Sequence, residues 1–165
     1  MDLGIKNKIA LVTAASQGLG KAAAIELANE GTKLAICSRN EEKINETAEE
    51  IQKLSGSEVL PVKADLDNKE DIENLILEIE KKFNTIDILI NNTGGPKPGF
   101  FDDLSDEDWL QSFESTFLSA VRVTRKVLPF MKKNKWGRIV NISSVSAKQP
   151  IDNLMLSNGI RMSVH

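Results

Sequence analysis

A chain of 165 residues with 41% hydrophobic and 27% charged side chains is long enough for one domain with a real core and too apolar to be disordered. A net charge of -3 and a pI near 5.3 exclude the broadly basic surface of a general nucleic-acid binder. No apolar run approaches the ~20 residues of a membrane helix, and a single cysteine, Cys37, excludes an internal disulfide or a two-cysteine metal site.

Taken in chain order, residues 1–6 carry no signal-peptide core, and Ile9-Ala10-Leu11-Val12 reads as a short buried strand. Thr13-Ala14-Ala15-Ser16-Gln17-Gly18-Leu19-Gly20 is a small-residue turn, followed by a helical run from Lys21 to Ala28 that Gly31 closes. Such a turn lets the backbone approach a phosphate, and the helix start offers unpaired N–H groups with a partial positive charge. Leu34-Ala35-Ile36-Cys37 is the second strand, with Cys37 expected as a small core residue in a reducing, cytoplasmic setting. Asn40 then caps a helix bearing Ile44, Ala48, Ile51 and Leu54, which ends at Gly56.

Val59-Leu60-Pro61-Val62 is the third strand, and its proline assigns it to a sheet edge. Asp67 and Glu70 read as a capping box for a helix with Ile72, Leu75, Ile76, Ile79 and Phe83 on one face. Ile86-Asp87-Ile88-Leu89-Ile90 is the fourth strand, followed by a Gly/Pro loop over 94–99. Ser105 is expected to cap a long helical region over 106–133, with a possible break. The basic run Arg125, Lys126, Lys132, Lys133, Lys135 and Arg138 falls at its end, where cations complement the helix dipole. Arg138-Ile139-Val140-Asn141-Ile142 is the fifth strand, 143–150 a loop, and residues 154–162 begin another helix. His165, the only histidine, is expected to be frayed. The alternation of strand and helix implies right-handed crossovers: an α/β, Rossmann-like, doubly wound parallel sheet of five strands in the order 3-2-1-4-5, in a single domain over 1–165. Such sheets normally continue, so the C-terminal strands are expected to be missing and the fifth strand to form an exposed edge.

The ordered motifs resemble the N-terminal part of the short-chain dehydrogenases/reductases, close to the 3-oxoacyl-carrier-protein reductase-like members. The family's glycine motif is matched by Thr13, Gly18 and Gly20, with Ala14 in place of the first glycine. An alanine there is expected to keep φ negative. Asn91-Asn92-Thr93-Gly94 matches the family motif that steadies the sheet and lies along the cofactor, and Asp65-Leu66 matches the adenine-contacting position. Thr13, Ala15, Ser16, Gln17, Gly18, Leu19 and Gly20 are therefore expected around the cofactor, with Asn91, Thr93 and Gly94 beside it. The second strand ends in Ser38-Arg39 without the acidic residue that would hold a ribose 2′-hydroxyl, so Arg39 is expected to pair with a 2′-phosphate. NADP is preferred to NAD.

The resemblance implies a reductase chemistry carried by serine, tyrosine, lysine and asparagine. Ser144 matches the serine. The tyrosine position holds Ser157, the lysine position Arg161 and the asparagine position Thr116, and the chain contains no tyrosine at all. A serine scarcely ionises near neutral pH, and a guanidinium does not reproduce an ammonium. Loss of a matched general acid commonly costs ~10²–10⁴ in rate. Two readings follow. One is an NADP-dependent oxidoreductase acting on a small-molecule carbonyl or alcohol, impaired or incomplete in this chain. The other is a nucleotide-binding or interaction protein without turnover, or a fragment. Neither calls for nucleic acid, membrane or metal, and the long helix with the uncovered edge suggests a homo-oligomer.

Overall fold

Alternate residues of the first strand serve two different cores. The computed structural model describes residues 2–164, and in it β1 (Ile9–Val12) is buried throughout. Ile9 and Leu11 point into one cluster, while Ala10 and Val12 point into the other. A strand buried on both faces reads as continuous apolar sequence, the mark of a parallel sheet covered on both sides.

Around β1 lie β2 (Lys33–Ser38), β3 (Val59–Lys63), β4 (Ile88–Asn91) and β5 (Arg138–Asn141). All pairings are parallel and the order is β3-β2-β1-β4-β5. Helices α1 (Gly18–Asn29) and α2 (Glu41–Ser55) cover one face. Helices α3 (Lys69–Phe83) and α5 (Ser119–Asn134) cover the other, where Ile72, Leu75 and Ile79 meet Val123 and Val127. The chain reverses direction across the sheet between β1 and β4, which places the ligand crevice of such folds outside their C-terminal ends.

Pro61 lies in edge strand β3, as its missing N–H requires. Strand β5 forms the other edge and all of its residues are exposed. Cys37 is a core residue, and burial pushes its thiol pKa up to about 12 against a weaker opposing pull from the Ala14 backbone. Among the described residues no helix is long and apolar enough to cross a membrane, and no group of acidic, histidine or cysteine side chains is placed to hold a metal. His165 lies outside the described residues.

Three local expectations are corrected. Asn68, not Asp67, caps α3, its side chain accepting from the N–H groups of Glu70 and Asp71 at 2.8 and 3.2 Å. Leu54 points outward at 63% exposure, and Thr47 takes the buried position in α2. The long helical region carries the break that its sequence allowed, running as α4 (Asp106–Phe113), a π-helical segment over Glu114–Leu118, then α5. The last helical segment is α6 (Met155–Ile160), which tightens to a 3₁₀ turn over Arg161–Val164.

Ala14 is also corrected, because its φ is +47°, in the left-handed region. Its carbonyl accepts from Asn92 Nδ2 at 3.1 Å, so the far end of β4 fixes the orientation of this peptide. A non-glycine residue held there costs about 1–2 kcal/mol, against about 0.5–1 kcal/mol of extra chain entropy lost by a glycine. Ala14→Gly is therefore expected to stabilise the fold by about 0.5–1 kcal/mol, which thermal unfolding reads as a rise of about 1–4 °C. A lower melting temperature would contradict the strain assigned to this turn.

Candidate coenzyme and substrate cleft

Among the described residues, three α-helices begin under a side-chain cap. Asn40 serves α2, Asn68 serves α3 and Ser105 serves α4. Helix α1 begins at Gln17 with no side-chain cap and no acidic residue in its first turn. Its first N–H groups are those an anion would satisfy. Gln17, Gly18 and Leu19 face a cleft of about 790 Å³ that runs over the C-terminal ends of the sheet.

Gly20 explains how the helix start reaches that position. A Cβ on Gly20 would lie 2.6 Å from the Ala14 carbonyl oxygen and 2.7 Å from Asn92 Nδ2. The first turn of α1 thus rests directly on the β1–α1 turn, with no room for a methyl group between them. Thr13 completes the joint. Its Oγ1 donates to the Asn92 carbonyl at 2.7 Å and accepts from the Asn92 N–H at 2.8 Å.

Of the residues singled out by sequence, Ser16, Gln17, Gly18, Leu19, Ser38, Arg39, Asp65, Leu66, Thr93, Gly94 and Arg161 line the cleft together. Thr13, Ala15, Gly20 and Asn91 stand behind it as buried or close-packed supports. Asn91 donates to Asn141 Oδ1 at 2.9 Å and Thr124 Oγ1 at 3.0 Å, tying β4 to β5 and α5. Sequence reasoning missed Lys43, Asp67, Gln111 and Ser143, which also line the cleft, and Asn92 of the Asn91-Asn92-Thr93-Gly94 motif lines it too. Lys43 sits one turn into α2, and that spacing from Arg39 was its only available signal.

At the β2 end of the cleft Arg39 is exposed and makes no ion pair among the described residues. Asp67 lies nearby and accepts from Gln111 Nε2 at 2.9 Å. Partial burial raises the Asp67 carboxyl pKa, Asp65 raises it further, and the Arg39 charge pulls the other way.

At the β4–β5 end three serines form a hydroxyl chain. Ser146 Oγ lies 3.0 Å from Ser144 Oγ and 2.8 Å from Ser157 Oγ. The Ser146 N–H also donates to Ser144 Oγ, at 3.2 Å. With two hydrogen bonds arriving at its oxygen, Ser144 keeps its own proton available for a ligand. Ser157 is buried behind Ser146 and does not line the cleft. Thr116, within the π-helical segment, is 3% exposed, and its hydroxyl has no partner. The expected quartet is therefore divided. Arg161 reaches the cleft, Ser144 stands beside it, and Ser157 and Thr116 are set back.

The sequence model described as short chain dehydrogenase matches residues 8–156 of this chain. The uncharacterized oxidoreductase YvaG of Bacillus subtilis strain 168 is 38% identical over 151 residues, covering 91% of this chain and 56% of YvaG. The fold superposes on L-sorbose reductase from Gluconobacter frateurii, solved with NADPH and L-sorbose, with a TM-score of 0.96 at 29% identity, over 99% of this chain and 62% of that one. It also superposes on a 7α-hydroxysteroid dehydrogenase solved with NADH and 7-oxo glycochenodeoxycholic acid, with a TM-score of 0.91 at 28% identity, over 96% and 62% of the two chains. The chain thus spans between 56% and 62% of the length of each of these relatives.

Proposed function

The chain belongs to the short-chain dehydrogenase family, and on that premise we propose that its cleft binds NADP(H) and serves hydride exchange with a small carbonyl or alcohol. The observation that carries this reading is the uncapped start of α1 opening into the same cleft as Arg39. One feature satisfies a pyrophosphate, and the other distinguishes a 2′-phosphate from a free hydroxyl. The N–H groups of Gly18 and Leu19 orient the pyrophosphate. Ser38 and Arg39 take the 2′-phosphate, Asp65 and Leu66 flank the adenine, and Thr93 and Gly94 run along the ribose at the reactive end.

When bound, NADPH supplies the hydride. The chain's own contribution at the reacting carbonyl is the Ser144 hydroxyl, whose acceptor capacity is already taken up by Ser146. That load favours donation to an oxygen gaining negative charge. No phenol stands beside it, since the chain has no tyrosine. Turnover is therefore expected about 10²–10⁴ below that of a site with a matched general acid. A second reading, coenzyme binding without turnover, is favoured by the position of Ser157 behind Ser146. We further infer a cytoplasmic protein that self-associates through the exposed Leu110 and Phe113 of α4 and the open edge of β5. Light scattering is expected to give a mass above the 18.2 kDa of one chain, and a monomer would remove that inference.

Titration calorimetry with NADPH, followed by NADPH consumption over a panel of carbonyl compounds, tests the function. Heat of binding and slow consumption that drops at least tenfold in Ser144→Ala, with NADPH affinity unchanged, are expected. Binding with no consumption selects the second reading, and no heat at millimolar NADPH removes both.

A further inference from the structure

We propose that the inner end of the cleft recognises an anionic group on the substrate, a carboxylate or a phosphoryl group, through the Arg161 guanidinium. This rests on the reading of the cleft as a coenzyme and carbonyl site, and it names the class of substrate that site takes.

Arg161 is 9% exposed, yet it lines the cleft with Gly94, Gly95, Ile142 and Ser143. Its partners are two backbone carbonyls, that of Ile142 at 3.2 Å and that of Gly94 at 3.5 Å. Both distances are long for bonds from a charged donor, and a guanidinium carries five N–H donors in a planar fork. Among the described residues no carboxylate lies within ion-pair distance of it. Burial lowers its pKa, but a guanidinium stays charged throughout the accessible pH range. The result is a nearly buried cation with unused donors beside an open cavity, and such a charge is costly unless an anion completes it.

The acidic residues of the cleft do not meet this need. Asp108 is paired with Lys97 at 2.9 Å. Asp65 and Asp67 follow β3, whereas Arg161 holds the carbonyls at the ends of β4 and β5. Three strand spacings separate β3 from β4, roughly 14 Å. Ser143 Oγ donates to the Arg161 carbonyl at 3.4 Å, and the Ser144–Ser146–Ser157 hydroxyl chain begins at the next residue. Ser144 lies two residues beyond the Ile142 carbonyl that Arg161 grips. A hydroxyl donor for a carbonyl oxygen, beside the cleft, and a fork for an anion, within its lining, therefore adjoin at one end of it. That pairing fits an oxo acid or an oxo phosphate better than a neutral ketone.

The test compares 2-oxobutyrate with its methyl ester, which share a carbon skeleton and differ in charge. Calorimetric titrations are run with and without saturating NADP⁺, and inorganic phosphate serves as a third probe. The acid is expected to bind at least tenfold more tightly than the ester. Arg161→Gln is expected to bring the two within twofold. Arg161→Lys, which keeps the charge and loses the fork, is expected to cut the ratio at least threefold, and it decides the matter where the glutamine variant does not fold. Phosphate binding more tightly than 2-oxobutyrate, and weakened by the same substitution, assigns the group as phosphoryl; the opposite order assigns a carboxylate. Equal binding of acid and ester, or a ratio unchanged in the variants, overturns the inference. Bound NADP⁺ with no acid preference removes this inference alone. An acid preference without NADP⁺ binding removes the coenzyme reading alone.

Discussion

Gly20→Ala is expected to lower the melting temperature by about 6–12 °C, corresponding to about 3 kcal/mol, and to weaken NADPH binding at least tenfold. The added methyl would sit 2.6 Å from the Ala14 oxygen, 2.7 Å from Asn92 Nδ2 and 3.1 Å from the Ala14 carbonyl carbon. Two of those three atoms are backbone, in a turn already held at a φ of +47°. They cannot rotate away as a long side chain would. Relief requires α1 to lift off the turn, and lifting it moves the same N–H groups proposed to orient the pyrophosphate. Stability and coenzyme affinity should therefore fall together.

Two other glycines separate this cause from others. Gly18 has a φ of +58°, but nothing lies within 4 Å of its Cβ position. Gly18→Ala then carries only the left-handed backbone cost of about 1–2 kcal/mol. Gly94 has open space and no positive φ, so Gly94→Ala should be near neutral for stability. Thermal unfolding of the three variants in parallel is expected to rank Gly20→Ala lowest, then Gly18→Ala, then Gly94→Ala. Equal melting temperatures for the first and last would show that the contact between helix and turn does not exist.

The sheet was legible because burial on both faces leaves no polar residue in a strand such as Ile9–Val12 or Leu34 to Cys37, and two short apolar runs joined by a helix allow few topologies. Caps were legible where one residue alone could serve, as at Asn40 and Ser105. At the start of α3, Asp67 and Asn68 are adjacent and both are competent caps, and sequence carries no register that chooses between them. The dihedral of Ala14 was hidden for a different reason. The force that holds it comes from Asn92, far along the chain at the end of β4.

The site divides along the same line. Arg39, Asp65 and Gly94 each lie within three residues of the end of a strand, so strand order brings them together. Lys43 and Gln111 reach the cleft from α2 and α4, through helix positions that only packing determines. Ser146 looked like a plain loop residue, yet it joins Ser144 to Ser157. The π-helical register over Glu114–Leu118, which sets Thr116 back from the cleft, has no propensity signal of its own.

Arg39→Ala is expected to weaken NADPH binding about 10–100-fold while leaving NADH binding within about twofold, because hydrogen bonds to charged groups contribute about 1.5–3 kcal/mol. The argument turns on what else surrounds that guanidinium. Asp67 lies close enough to feel the Arg39 charge, and Asp65 lies close enough to Asp67 for its charge to be felt there. With Arg39 present, a 2′-phosphate meets a cation that no ion pair occupies. With Arg39 removed, the same phosphate faces two carboxylates and is repelled, whereas a 2′-hydroxyl loses little. Lys43 stays in the cleft and keeps part of the attraction, so the loss should be steepest at low ionic strength and shrink as salt screens both signs. The double variant Arg39→Ala/Lys43→Ala should then bind NADH at least as tightly as NADPH. Parallel titrations of the two coenzymes against wild type and both variants measure this. An NADPH preference that survives the double substitution would place 2′-phosphate recognition elsewhere in the cleft.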